Sequence, residues 1–433
     1  MSRSGGGTDL SKSSVSASSR ISVAMGIFVI VLVIGFSVPV SAAGSTATIK
    51  RWPVSFPLND FVVAPDGTVF FSSPGVLVGR LNASTNEVTT WGLRTFHLAI
   101  GPAFSIEFEG HTYTEAFTVA VLRLNGQIRL LMPSSGVVVV WQLPDFAQDI
   151  AASSTHIWVT QFTDTSTTIV ASVDPVTNVM TRYELPQSIA GPGGFIHGLS
   201  YGDDQLWFGV TESEIGDNVP FQQKTGSLDP ATSTASLWPV FASNGPVTVG
   251  TGRTATFAAG SAWTLYHSSD PSLTGAYRLK PDANKVEFYG APLGTPASLG
   301  PSPVVENVDR ASTAAGAAWA ASTSEADGVQ TAHVVRWRPL SARTVSSVSP
   351  EQPAVTVSTG TLDSGVSKLD PSTTTITPEV TTISATTPSP SVAIWSFTDR
   401  RLAARTALSP NGVVYFGLVT PSTGDFVLVQ LST

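Results

Sequence analysis

Seven side chains able to hold charge or move protons recur at one place in a repeated phrase of this sequence: Asp60, His97, Asp149, His197, Arg253, Asp309 and Arg405. Each opens a short strand-like run that leads through a turn to a second run. Two arginines in such a set could clamp a carboxylate or another anion, and His197 or His97 could serve as a general base. A His beside an Asp would also make the set sensitive to pH. The alternation of signs allows a quieter reading. Taken round a closed ring, every Asp of the set has an Arg or a His on both sides, so the charges can satisfy one another where strands crowd together. The residue types leave both readings open.

The elements that must position these residues are written in the repeat itself. Copies run over 60–71, 149–159, 195–208, 253–264, 309–320 and 405–416, and a degenerate one starts at His97 with an insertion through about Val119. Short strands and turns at a period of roughly forty to fifty residues predict an all-β, seven-bladed β-propeller. Third strands end in phrases such as Ser172-Val173-Asp174-Pro175 and Ser227-Leu228-Asp229-Pro230, which start a turn before the outer strand. Trp91, Trp141, Tyr183, Trp238 and Phe288 fall on outer strands; Trp158, Trp207, Trp263 and Trp319 fall on second strands. Rings at fixed places would fill the gaps between blades, which widen outwards. The C-terminal piece from Arg405 holds only three strands, so the missing one is expected from 48–53, with Trp52 beside the C-terminal strands.

Charged residues make up 12% of the chain and its net charge is −8, which argues against a nucleic-acid surface. The chain has no Cys, so it has no disulfide framework, thiolate nucleophile or Cys-ligated metal. Residues 1–22 form a polar, basic leader, and 23–43 form an apolar helix read either as a cleaved signal peptide or as a transmembrane anchor. Both outcomes place the propeller, residues 46–433, outside the cytoplasm, secreted or membrane-anchored, as a monomer. Between about 340 and 392 Ser and Thr make up nearly half the residues. This stretch is expected as an insertion within or beside the sixth blade, and its phrase Ser367-Lys368-Leu369-Asp370-Pro371 also reads as a spare third strand.

His197-Gly198-Leu199, a Gly-Asp turn, Leu206-Trp207-Phe208, a Leu-Asp-Pro third strand and outer strands such as Tyr183-Glu184-Leu185-Pro186 together resemble the virginiamycin B lyase family. The resemblance implies a seven-bladed propeller, and it implies elimination across an ester linkage by a divalent metal (Mg2+) and a His base at the channel mouth. His197 matches a family His position. The family's carboxylates just after the second-strand aromatic do not match: Ser73, Gln161, Val210, Tyr266, Ser322 and Leu418 stand there, and Glu212 is the near substitute as a metal ligand. Three functions follow as expectations. The first is a binding or interaction module that takes a small anionic or polar ligand, or a protein partner, at the channel mouth. The second is a lyase on a small ester or lactone. The third is a structural surface protein.

Overall fold

Alternating apolar and polar residues between Gly- and Asx-rich turns give antiparallel strands throughout. The structure is a computed structural model. It describes residues 45–433 apart from 124, 163–167, 187–194, 212–220, 244–248, 251–254, 259, 269–274, 291–311, 315–316, 327, 338–343, 390–391, 404–405 and 410. The leader and the apolar segment thus lie outside the described residues. Among those described, no helix is long and apolar enough to cross a membrane.

Seven antiparallel sheets form the blades of a β-propeller. The first pairs Asp60–Val63, Val69–Ser73, Leu77–Asn82 and Glu87–Trp91 in order, and the third pairs Phe146–Ala152, Ile157–Phe162, Thr168–Val173 and Val179–Leu185. Each inner strand packs beside the inner strand of the next blade, and that of the seventh, Ala407–Leu408, packs beside Asp60–Val63. In the seventh sheet Thr46–Val54 lies antiparallel to Phe426–Ser432, with Trp52 opposite Leu428. The insertion in the second blade is a hairpin of Phe104–Phe108 and His111–Glu115.

Aromatic residues seat between blades. Trp158 stacks on Tyr201 of the following blade, and Trp207 on Trp238 within the fourth. The core is a set of clusters at blade boundaries. One joins Trp158, Tyr183 and Leu185 of the third blade to Ile196, Leu206 and Leu228 of the fourth.

The Ser/Thr-rich segment is inserted between the third and outer strands of the sixth blade and reaches well beyond it. It leaves the sixth blade after Val329–Trp337 and returns as Val392–Thr398, but between those strands it runs round the rim of the whole ring. Thr344–Ser347 pairs with the outer strand of the fifth blade, and Glu351 bridges Leu237 of the fourth. Thr356–Thr361, Ser364–Lys368, Ser372–Thr375 and Glu379–Ser384 then add a strand to the third, second, first and seventh blades in turn. Thr386–Ser389 ends the circuit on the sixth. The spare third-strand phrase at 367–371 therefore lies on the edge of the second blade and builds no sheet of its own.

A seven-residue period underlies this belt: Val348, Val355, Leu362, Leu369, Ile376 and Ile383. Each packs on a different core cluster. An extended chain rises about 3.3 Å per residue, so seven residues reach roughly 23 Å, enough to pair along one blade edge and cross to the next. Most of the other belt side chains are exposed. Pro350, Pro353, Pro371 and Pro378 sit between the belt strands and deny partners to a further strand.

The turn between third and outer strands is where belt and blades are joined. Asn86, Asn178 and Asn284 adopt left-handed backbone there, and their carbonyls accept the N–H groups of Ile376, Leu362 and Val348. Their side-chain oxygens accept the indole N–H of Trp52, Trp141 and Trp238 on the preceding blade, at 3.2, 2.8 and 3.1 Å. In the second blade Gly136 takes the place of Asn, because the Leu369 carbonyl would lie 2.2 Å from a Cβ there. Trp91 accordingly finds no such partner for its indole N–H.

Candidate functional site

The inner strands meet at the axis with their open edges. Asp60–Val63, His97–Gly101, Phe146–Ala152, Phe195–Gly202 and Ala407–Leu408 each pair on one side only, with the second strand of their own blade. A cavity of about 270 Å³ lies among them, lined by Phe61–Val63, Ala99–Ile100, Ile150–Ala152, Leu199–Tyr201 and Thr406–Leu408. Many of these side chains, Phe61, Val62, Ala99, Ile150, Ala151 and Leu199 among them, are spent in the clusters between blades. The wall combines apolar side chains with peptide N–H and C=O groups of the open strand edges, which can meet polar ligands or water.

Asp60, His97 and Asp149 stand just before cavity residues on the same strands. Asp60 is fully buried. Its Oδ1 accepts the N–H of Phe61 at 2.9 Å and its Oδ2 the N–H of Leu98, on the next blade, at 2.9 Å. His97 Nδ1 lies 3.5 Å from the same Oδ2, and the His side chain stays 16% exposed. Asp149 repeats the pattern one pair of blades on. Its Oδ1 accepts from Ile150 at 2.9 Å, and its Oδ2 accepts from Gly198 at 2.8 Å and Leu199 at 3.2 Å. The ladder slips between His197 and Ser200, and Gly198 takes φ +66° there, so the bulge releases two N–H groups and the neighbouring carboxylate receives them.

The structure thus brings Asp60, His97 and Asp149 to the inner ends of successive blades. The backbone of His197 lies in Phe195–Gly202, and its side chain is outside the described residues, as are Arg253, Asp309, Arg405 and Glu212. The two carboxylates that are described are engaged by the backbone: each of their four oxygens receives at least one N–H. Among the described residues no group of three or more His, Asp or Glu is placed to hold a metal.

Other histidines serve the fold. His333 is buried in the sixth blade, its Nδ1 2.9 Å from the Ser396 hydroxyl. Burial pushes its pKa down to about 4. His156 closes a turn with Thr155, and His111 is exposed on the hairpin of the second blade. In the turn after a third strand, the Thr232 hydroxyl holds the Asp229 carboxyl below its usual range against some desolvation, helped by the N–H groups of Ala231 and Thr232. The recurring Asp-Pro phrase is thus an Asx turn that fixes the path to the outer strand.

The reading from sequence missed the belt's anchor residues and an arginine group on the second blade, Arg94, Arg123 and Arg129. The seven-residue spacing of single apolar residues in a Ser/Thr background was the available signal for the first. Nothing in the spacing of the arginines announces the second.

No protein-family profile and no curated protein matches the sequence. Among solved structures the chain is similar to the WD40 domain of SCAP from fission yeast, with 9% identity and a TM-score of 0.35, covering 87% of this chain and 82% of that one. It is also similar to a Trichoderma reesei protein of Carbohydrate-Active Enzymes Family AA12, with 13% identity and a TM-score of 0.22, covering 88% and 96%. Likenesses this distant say nothing about activity, and the propeller rests on the strand pairing above.

Proposed function

We propose that this chain is an extracytoplasmic binding module that takes a small polar or anionic ligand, or a loop of a protein partner, at the mouth of the propeller channel. The observation that supports this best is the division of labour at the axis. The described collar carboxylates are engaged by backbone N–H groups of their own and the following blade, whereas the open strand edges border the cavity. Peptide groups at open strand edges, with the neighbouring Ser200, Tyr201 and Thr406, can bind a polar ligand by hydrogen bonds. In this reading Arg253 and Arg405 complement an anionic group at the mouth. Fold alone does not choose among functions, so the site must.

The test is a random peptide library screened against the full chain, with Ser200→Trp as a variant that narrows the cavity. Enriched peptides should bind the variant at least tenfold more weakly. Equal binding would overturn the assignment to the channel. The runner-up is a lyase with His197 as base and Glu212 as a metal ligand. It predicts ring opening of a cyclic depsipeptide that is lost in His197→Ala, together with one bound Mg2+ lost in Glu212→Ala. Those results would replace the binding-module reading.

A further inference from the structure

The second blade holds a concentration of positive charge unusual for so acidic a chain. Arg123 and Gln127 are directly opposite on neighbouring strands, and Arg129 lies two residues on from Gln127, on the same face. Arg123 Nη1 and Arg129 Nε both donate to the one side-chain oxygen of Gln127, at 3.0 and 2.9 Å. Two guanidinium groups are thus drawn together by a neutral amide where a carboxylate would ordinarily stand. Arg94 adds a third charge, near enough that it and Arg123, after desolvation by burial, disfavour the charged form of Arg129. Among the described residues none of the three has an ion-pair partner.

The backbone beneath the group is rigid. Arg94 sits between Leu93, which is packed in the cluster of the first and second blades, and Thr95, whose hydroxyl reaches the carbonyls of His97 and Leu122 at 3.2 and 3.4 Å. The loop of the first blade leans on the same point through the bridge of Pro74 to Thr95. A guanidinium carries five N–H donors in a fixed fork. Among the described residues Arg123 and Arg129 each spend one of these on Gln127, so donors and charge remain on a support that does not need to be ordered on binding.

We propose that Arg123 and Arg129 form a binding site for an oxyanion, a carboxylate, sulfate or phosphate group, on the second blade. An anion there relieves the mutual repulsion and receives bidentate donors from the forks. The group is carried either by a free small molecule or by an acidic side chain of a partner protein, and the chemistry of recognition is the same. This site is distinct from the channel, and its test does not depend on the channel reading.

The experiment uses the full chain and inorganic phosphate, with KCl adjusted to constant ionic strength. Thermal unfolding should rise saturably with phosphate, and the arginine Nε–H resonances in NMR should shift. Arg129→Gln and Arg123→Gln should each weaken phosphate binding at least tenfold. Arg129→Lys, which keeps the charge and loses the fork, should weaken it less than Arg129→Gln. Arg182→Gln, whose guanidinium is already paired with Asp145 at 2.8 Å, should leave it unchanged. A short poly-aspartate peptide that competes with phosphate would mark an acidic partner as the source, and failure to compete would mark a free small anion. The proposal is overturned if wild-type protein shows no saturable response, or if the response survives both Gln variants.

Discussion

The inner ends of the blades and their outer rim solve the same problem by opposite means. At the axis, two described blade boundaries are each joined by one buried carboxylate that reaches across to the next strand, Asp60 to Leu98 and Asp149 to Gly198 and Leu199. At the rim a single segment joins the blades, with six apolar anchors spread over their boundaries and main-chain hydrogen bonds to turn carbonyls. Close strands leave room for a short, strong and local link. Blades that have spread apart need a long one, and a repeat of seven residues supplies it. The contrast explains why charge is conspicuous at the centre and Ser and Thr at the edge. A charged link suits a crowded, dry place where its N–H partners are fixed, and a polar, uncharged strand suits a surface that must pair without being buried.

The contrast can be broken from the rim first. Trp337 and Val392 are directly paired, so 338–391 can be replaced by a short turn without opening the sixth blade. Six apolar anchors and the added strands would be lost together. We expect a cost of about 5 kcal/mol, read as a fall in Tm of roughly 6 °C, and new susceptibility to proteolysis at the bared outer strands. An unchanged Tm would mean that the belt decorates the ring without holding it.

The axial links come next. Asp149→Ala leaves the N–H groups of Ile150, Gly198 and Leu199 without their acceptor, which should cost about 3 kcal/mol in chemical denaturation. The effect should be additive with a belt substitution such as Leu362→Ala, because distant sites with no shared partner add.

A third prediction concerns pH. The folded pKa of His333 is about 4 against an ordinary value of 6.5, so between these limits the unfolded chain binds the extra proton. The associated stability is present in full above pH 6.5 and is lost as pH falls towards 4, up to roughly 3 kcal/mol. His333→Gln should flatten that slope in urea titrations at a series of pH values, and an unchanged slope would assign it elsewhere.

The smallest expected effect separates two jobs of one residue. Asn178→Gly keeps the left-handed turn but loses the bond to Trp141, for about 1 kcal/mol, whereas Asn178→Ala loses both and should cost about twice that. Equal costs would show that the indole bond contributes nothing.

The propeller was legible in the sequence because each blade repeats one phrase at one period, and the order of strands within a blade follows from short turns. The aromatic places were legible for the same reason. The belt was not, because its signal is a single apolar residue in seven, set in a stretch whose composition suggests low complexity. Its phrase at 367–371 imitates a third strand since both are strands that stop at an Asx-Pro turn. At the mouth, residue types identified Asp60, His97 and Asp149 as neighbours. They did not reveal that the partners of Asp60 and Asp149 include backbone N–H groups, since no sequence pattern marks where a bulge such as that at Gly198 will release them. Arg123, Gln127 and Arg129 look like ordinary surface alternation until the pairing register places them on one face.

The most direct test of the account is native-state hydrogen exchange, read by mass spectrometry, in Asp149→Ala. The account predicts faster exchange in the peptide spanning 195–201, with protection of the belt at 356–369 unchanged. Unaltered protection at 195–201, or a loss that spreads equally to the belt, would contradict the claim that axis and rim hold the ring independently.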